Sequence, residues 1–551
     1  MLTLMLLGFA LQTFVVLATP LAGPTVTLDS ATVTGTTFGN VQKFLGIPFA
    51  QPPIGRLRFN QPQAVPAYNT SFSATAFGPS CPQQAIKLPL ISGLPAEVVD
   101  FLVNSIYGFV FPADEDCLSI NVVKPSSAGP TSKLPVVVWF FGGGFEIGGT
   151  SMYDGSSIVE RSLELNEPVI YVSMNYRLAA WGFLASQEVK DAGLGNLGLQ
   201  DQRLALRWVQ KYIGAFGGDP SKVTIWGQSS GAISVALQMV TNGGNTESLF
   251  RAGFMESGSP IPVRDITNGQ KYYDQIVADT GCSGSSDTLE CLREVPFNTL
   301  KSAVDNTPSI FAYQSLNLAW FPRVDGIFLK DDPQKLVQAG QVAAIPIVNG
   351  DCDDEGTLFS LSSLNVTTQE ALATYIQTEF LLDASTVDVN ELLSVYPADI
   401  TQGSPFDTSI LNAITPEFKR IAAIMGDAAF QAPRRFFLQS VSGKQNVWSY
   451  LNKRLKSLPI LGSAHTTDLL NVYGKYSIPI TGGGDMVDYL VRFVATLNPN
   501  GNTGINWPQY TTANPNMLQF NDGLIPLSLS LDNYRVAAIN YTTQLLLKHP
   551  L

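Results

Sequence analysis

A chain of 551 residues with 45% hydrophobic content can bury a large core, and its net charge of -12 with scattered Lys and Arg argues against nucleic acid and anionic membrane surfaces as partners. Charged residues make up only 14% of the chain, well under the roughly 25% usual for soluble domains, so Ser, Thr, Asn, Gln and glycans are expected to carry much of the surface. With no Pro/Ser-rich linker, charge block or repeat, one catalytic domain over residues 24–551 is expected.

The first segment, "MLTLMLLGFALQTFVVLA", is apolar and ends in small residues. It lacks a basic start, yet its place and length suit a secretory signal over residues 1–23, cleaved between about Ala18 and Gly23. A membrane anchor is the competing reading, but "TPLAGP" follows without a stop-transfer charge cluster. The sequons at Asn69, Asn365 and Asn540 are compatible with export and glycosylation. Five cysteines in an exported chain allow two disulfides and a free thiol. Cys81 with Cys117 would close a long loop and Cys282 with Cys291 a short one, leaving Cys352, although other pairings remain open.

Between Cys81 and Cys117 lies "KLPLISGLPAEVVDFLVNSIYGFVF". At helical spacing Glu97, Asp100 and Asn104 share one face, while Val98, Phe101, Leu102, Ile106 and Phe109 share another. Two central carboxylates and the interruptions at Pro89 and Pro95 speak against a transmembrane helix, and a buried core helix is the plain alternative.

Further along, short apolar runs stop at Gly or polar clusters and alternate with helical-period segments, which is the rhythm of an α/β sheet. "PVVVWFF" runs into Gly142, Gly143 and Gly144, whose backbone could approach a substrate carbonyl closely. A dinucleotide loop would need glycine where Ile147 stands. "KVTIW" leads into Gly227-Gln228-Ser229-Ser230-Gly231, and "AISVALQMV" follows with Ile233, Ala236 and Leu237 at helical spacing. G-x-S-x-G alone is a chance-level pattern, but strand, turn and helix together are the setting of a nucleophile elbow. Ser229, flanked by the glycines, is the candidate nucleophile, and the Ser230 amide would join the oxyanion hole.

"IPIVNG" ends in "DCDDEGT", which offers Asp351, Asp353, Asp354 and Glu355 as the triad acid. A calcium loop fails because the twelfth position is Ser362 rather than Glu. The chain has two histidines: His549 stands two residues from the C-terminus, which leaves His465, after the strand "NVWSYL", as the general base. Serine, then acid, then histidine is the chain order of α/β-hydrolases. Two distant histidines without H-E-x-x-H give no zinc site, and no metal or cofactor is expected.

These residues resemble the type-B carboxylesterase/lipase family. "FGGDPSKVTIWGQSSG" fits its serine signature, and "EDCLSINVVKP" resembles its second signature except at Ser119; "FLGIPFAQPPIGRLRF", "NYRLAAWGFL" and "GNLGLQDQRLALRWVQ" are similar too. The similarity runs from about residue 24 to the C-terminus. Within the family "FFGGGFEIGG" most resembles fungal Candida rugosa-like lipases and sterol esterases, with Phe141 where cholinesterases carry His.

The resemblance implies an α/β-hydrolase fold: a large, mostly parallel central sheet flanked by helices, with an amphipathic lid over 81–117 whose apolar face carries Phe101, Leu102, Ile106 and Phe109. It implies Ser229, Glu355 and His465 as the triad, Gly143, Gly144 and Ser230 as oxyanion donors, and disulfides Cys81–Cys117 and Cys282–Cys291. It implies a hydrolase of long-chain esters such as triacylglycerols and sterol esters at a lipid interface; together with the leader segment, the expectation is a secreted, extracellular enzyme, a monomer or a lid-mediated homodimer. The competing readings are a carboxylesterase for short-chain or aromatic-acid esters and a non-catalytic adhesion protein. Two departures stand out: Ser230 replaces the family's Ala, and Gln228 its Glu, which removes a carboxylate from beside the histidine.

Overall fold

The computed structural model describes residues 23–87, 94–106, 112–473 and 485–551. Its centre is an eleven-stranded mixed sheet. In chain order its strands are β1 (Thr36–Phe38), β2 (Val41–Pro48), β3 (Ser119–Pro125), β4 (Leu134–Phe140), β5 (Ile170–Met174) and β6 (Gly218–Gln228). They continue as β7 (Ala252–Glu256), β8 (Ile347–Cys352), β9 (Val447–Asn452), β10 (Asn516–Phe520) and β11 (Leu527–Leu531). Across the sheet the order is β11-β10-β9-β8-β7-β6-β4-β5-β3-β2-β1. Neighbours from β5 through β10 run parallel. The two margins are antiparallel. A separate small sheet joins Thr25–Leu28, Ala31–Thr34 and Phe72–Ser73.

The parallel strands explain the unbroken apolar runs of the sequence: helices cover both faces, so alternate side chains have no solvent to meet. All residues of β5, β7, β8 and β9 are buried. Trp139 of β4 and Trp226 of β6 are register partners with ring centroids 4.1 Å apart, and Tyr473 stacks on Trp226 at 5.5 Å. Such aromatic pairs contribute about 0.5–1.5 kcal/mol beyond their area. They fasten together the two strands whose ends carry the glycine loop and the serine.

Between Cys81 and Cys117, which form a disulfide, runs helix α1 (Ala96–Ile106). Val98 and Leu102 are buried in the core, Phe101 is half-buried, and Glu97 and Asp100 face solvent, so the helix has the two faces its spacing predicts. The Ile106 side chain and Phe109 lie outside the described residues, as does the leader segment 1–22. Cys282 and Cys291 form the second disulfide, and Cys352 is free and buried. Among the described residues no helix is long and apolar enough to cross a membrane.

Candidate active site

Chemistry gathers where parallel strands end, because each strand there releases its chain into a loop on the same edge of the sheet. β6 passes through Ser229 into helix α2 (Ser230–Val240), every residue of which is buried. Ser229 takes φ 56° and ψ -127°, a backbone state that costs a non-glycine residue about 1–3 kcal/mol and that the surroundings must hold. Its amide donates to the Glu256 carbonyl at 2.8 Å. The flanking glycines are required by close approach: a Cβ on Gly231 would stand 1.9 Å from the Phe140 carbonyl oxygen, and one on Gly227 would stand 2.4 Å from the Gly231 carbonyl.

His465 lies in the loop after β9, its ring between Phe430 and Phe359 at centroid distances of 4.7 and 5.2 Å. Its Nε2 is 2.8 Å from Ser229 Oγ and its Nδ1 is 2.5 Å from Glu355 Oε2. Glu355 Oε1 accepts from the Cys352 amide at 2.6 Å, which fixes the carboxylate plane. Burial pushes the His465 imidazole down to about 4, partly offset by Asp468 and Asp351. The ring is therefore neutral near pH 7, with Nδ1–H donated to Glu355 and the Nε2 lone pair accepting the serine proton. Burial, reinforced by Asp468, pushes the Glu355 carboxyl well above the ordinary range, while the Cys352 amide donates to it and opposes the shift.

The other acids of the 351–355 loop are engaged elsewhere. Asp351 accepts from Arg434 Nε at 2.9 Å. Asp353 and Asp354 share the Lys456 ammonium at 2.6 and 2.7 Å, and Asp354 also accepts the Ser463 and Phe406 amides. Only Glu355 turns toward the imidazole. A bridge between Asp354 and Ala464 sets the acid loop beside the histidine loop.

β4 ends at Phe140, and Gly142–Gly144 follow in the loop beyond it. Gly143 and Gly144 have φ of 122° and 63°, and among the described residues neither amide has a hydrogen-bond acceptor. The Ser230 amide, in the first turn of α2, is one of the donors that a helix start leaves unpaired. A Cβ on Gly142 would lie 2.9 Å from Ser229 Cβ, which measures how closely the loop approaches the serine. Ile147, Ile310, Phe311, Leu358, Phe359 and Leu469 give the adjoining cavity, about 60 Å³ in volume, a largely apolar wall around Ser229 and His465. Gln228 is buried, and its Nε2 is 3.5 Å from His465 Nε2.

His549 sits apart, 3.3 Å from Asp388 near the surface. Sequence reasoning missed Asp468, which is fully buried and accepts the Ser257 and Tyr450 hydroxyls at 3.0 Å each. Its one signal was its place three residues after His465. The Cys352 thiol is buried beside these acids, and burial pushes it well up, away from the thiolate form that reacts.

The model of the carboxylesterase family matches residues 22–537. "Lipase 4" of Diutina rugosa is 44% identical over 94% of this chain and 95% of its own length. "Secreted triacylglycerol lipase LIP1" of Gibberella zeae is 41% identical over 88% and 84%. The crystal structure of EstA from Aspergillus niger superposes with a TM-score of 0.81 at 30% identity, over 96% of this chain and 99% of the other. The chain belongs to the carboxylesterase family and is a carboxylic ester hydrolase of the lipase and esterase type.

Proposed function

We propose that Ser229, His465 and Glu355 are the catalytic triad of a secreted lipase that cleaves long-chain esters, triacylglycerols and sterol esters among them. The observation that carries this is the continuous hydrogen-bonded line from Ser229 Oγ through the neutral His465 ring to Glu355, at the edge of an apolar cavity. His465 Nε2 takes the hydroxyl proton as Ser229 Oγ attacks the ester carbonyl. The negative charge that develops on the carbonyl oxygen is met by the Gly143, Gly144 and Ser230 amides, where one such donor is worth about 3–4 kcal/mol in comparable sites. The imidazolium then returns its proton to the departing alcohol, leaving an acyl ester on Ser229, and a water activated by the same ring releases the acid. Glu355 orients the ring throughout and stabilises its charged form.

Residues 81–117 act in this reading as a lid whose apolar helix face swings toward lipid; the burial of Val98 and Leu102 fits its closed position. Residues 1–23 serve as an export signal, in keeping with relatives named as secreted. Asn69, Asn365 and Asn540 are all exposed and available for glycans. The enzyme works at a lipid interface as a monomer or as a dimer through the lid.

A panel of esters of increasing acyl length, with a cholesteryl ester included, tests the substrate reading. Activity that holds or rises toward long chains and includes the cholesteryl ester supports it. Activity confined to short acyl chains would make the enzyme a carboxylesterase.

A further inference from the structure

Glu146 follows the glycine loop by two residues and is wholly buried. It stands at a junction of three segments. Its amide and that of Ile147 donate to the Gly143 carbonyl at 3.1 and 3.0 Å, closing the turn that presents the Gly143 and Gly144 amides. Its carbonyl accepts the Gln84 amide at 2.9 Å, on the chain leaving Cys81. Its carboxyl Oε2 accepts the Ile310 amide at 2.7 Å, and the Ile310 side chain lies 2.6 Å from where a Gly144 Cβ would be, walling the cavity beside the serine. Two acceptors at this junction, Glu146 Oε1 and the Gln84 side-chain Oε1, are buried without a partner among the described residues.

A buried unpaired acceptor costs about 1–3 kcal/mol, and a buried unpaired carboxylate costs more. A proton on Glu146 Oε1 converts one orphan acceptor into a donor and removes the charge. The charged groups of the packed segments are engaged elsewhere: Asp305 pairs with Lys301 and accepts the Ala85 amide, and Arg177 is bound by Asp201. No cation among the described residues is set to hold an ionised Glu146.

Resting on the reading of Gly143 and Gly144 as oxyanion donors, we propose that Glu146 is a positioning residue for that loop, its neutral carboxyl tying Gly143–Gly144 to the Ile310 wall. In agreement, burial pushes this carboxyl up to about 8, with only the Ile310 amide opposing. Ionisation above that pH places a charge in an apolar junction and loosens the loop, so turnover falls on the alkaline side while the substrate pocket stays largely intact.

The test compares Glu146→Gln and Glu146→Ala with the unaltered enzyme on a soluble ester, kcat and KM being followed from about pH 5 to 10. Glu146→Ala is expected to lower kcat at least about tenfold with KM within about threefold, the pattern of a lost transition-state interaction. Glu146→Gln, which keeps an acceptor and supplies a neutral donor, is expected to stay within about threefold in kcat at pH 7 and to lose the alkaline decline near pH 8. If Glu146→Ala does not fold, the alkaline limb of Glu146→Gln decides alone. A Glu146→Gln enzyme with an unchanged alkaline limb, or with kcat more than about tenfold down at pH 7, overturns the proposal. Hydrolysis that survives Ser229→Ala would instead overturn the proposed serine mechanism, and with it the oxyanion role of Gly143 and Gly144 on which this inference rests, so the two failures are separable.

Discussion

Gln228→Glu probes the electrostatics of the histidine directly. Gln228 Nε2 stands 3.5 Å from His465 Nε2, and both side chains are buried, so a carboxylate at that distance would act through a medium far less polar than water. At an effective dielectric of about 20 its attraction for the imidazolium is roughly 4–5 kcal/mol. At about 1.4 kcal/mol per pH unit this sets a ceiling near three pH units on the rise in the histidine's proton affinity. The new carboxylate resists ionising in its own buried position, which leaves a net rise of about one to two pH units. The sign follows from the role of the ring: it must be neutral to take the serine proton, so activity is lost as pH falls through its pKa, which burial has brought to about 4. In the variant that loss occurs at higher pH. The assay is kcat/KM for a soluble ester from about pH 3 to 8, whose acidic limb reports the free enzyme's base. An acidic limb in Gln228→Glu that coincides with the unaltered enzyme, or lies below it, refutes the reasoning.

Glu355→Gln keeps the shape of the acid but cannot hold the Nδ1–H tautomer or stabilise the imidazolium; kcat is expected to fall about 10⁴-fold while thermal unfolding changes little. An equal loss in Asp354→Asn, whose carboxyl is bound by Lys456, would move the acid role away from Glu355. Gly231→Ala places a methyl 1.9 Å from the Phe140 carbonyl, which neither backbone can yield without moving the elbow. That variant is expected to lose activity and to unfold at a clearly lower temperature, the overpacking cost being about 1–3 kcal/mol or more. Unfolding at the normal temperature would show that the strand-turn-helix closes less tightly than the distances require.

Much of the architecture was legible because parallel strands buried on both faces leave unbroken apolar runs, and each run here stops where its loop turns to chemistry. "KVTIW" and "PVVVWFF" became neighbouring strands, and the glycines of the elbow and of the loop after β4 stand where any side chain would collide with backbone or a packed neighbour. His465 emerged by counting, since the only other histidine sits near a chain end and pairs with Asp388 at the surface.

The acid loop was harder to resolve. Four carboxylates in five residues are alike in sequence, and what separates them is partners 83 to 103 residues away: Arg434 takes Asp351, and Lys456 takes Asp353 and Asp354. Such choices are made by packing and leave no local pattern. Asp468 and Glu146 were passed over for the same reason: an acid in a loop reads as solvated until the fold buries it. The segment between Cys81 and Cys117 shows the opposite balance. Its helical spacing correctly separates Val98 and Leu102, which are buried, from Glu97 and Asp100, which are exposed.

The central claim is that Ser229 carries the acyl group. Treating the enzyme with an activated alkyl phosphonate ester, a tetrahedral mimic of the attacked carbonyl, and mapping the adduct by peptide mass spectrometry tests it most directly. The account predicts one adduct, on Ser229, forming in step with loss of ester hydrolysis, and neither labelling nor hydrolysis in Ser229→Ala. An adduct on Ser230 or another residue, or hydrolysis that persists when Ser229 is fully labelled, would contradict it.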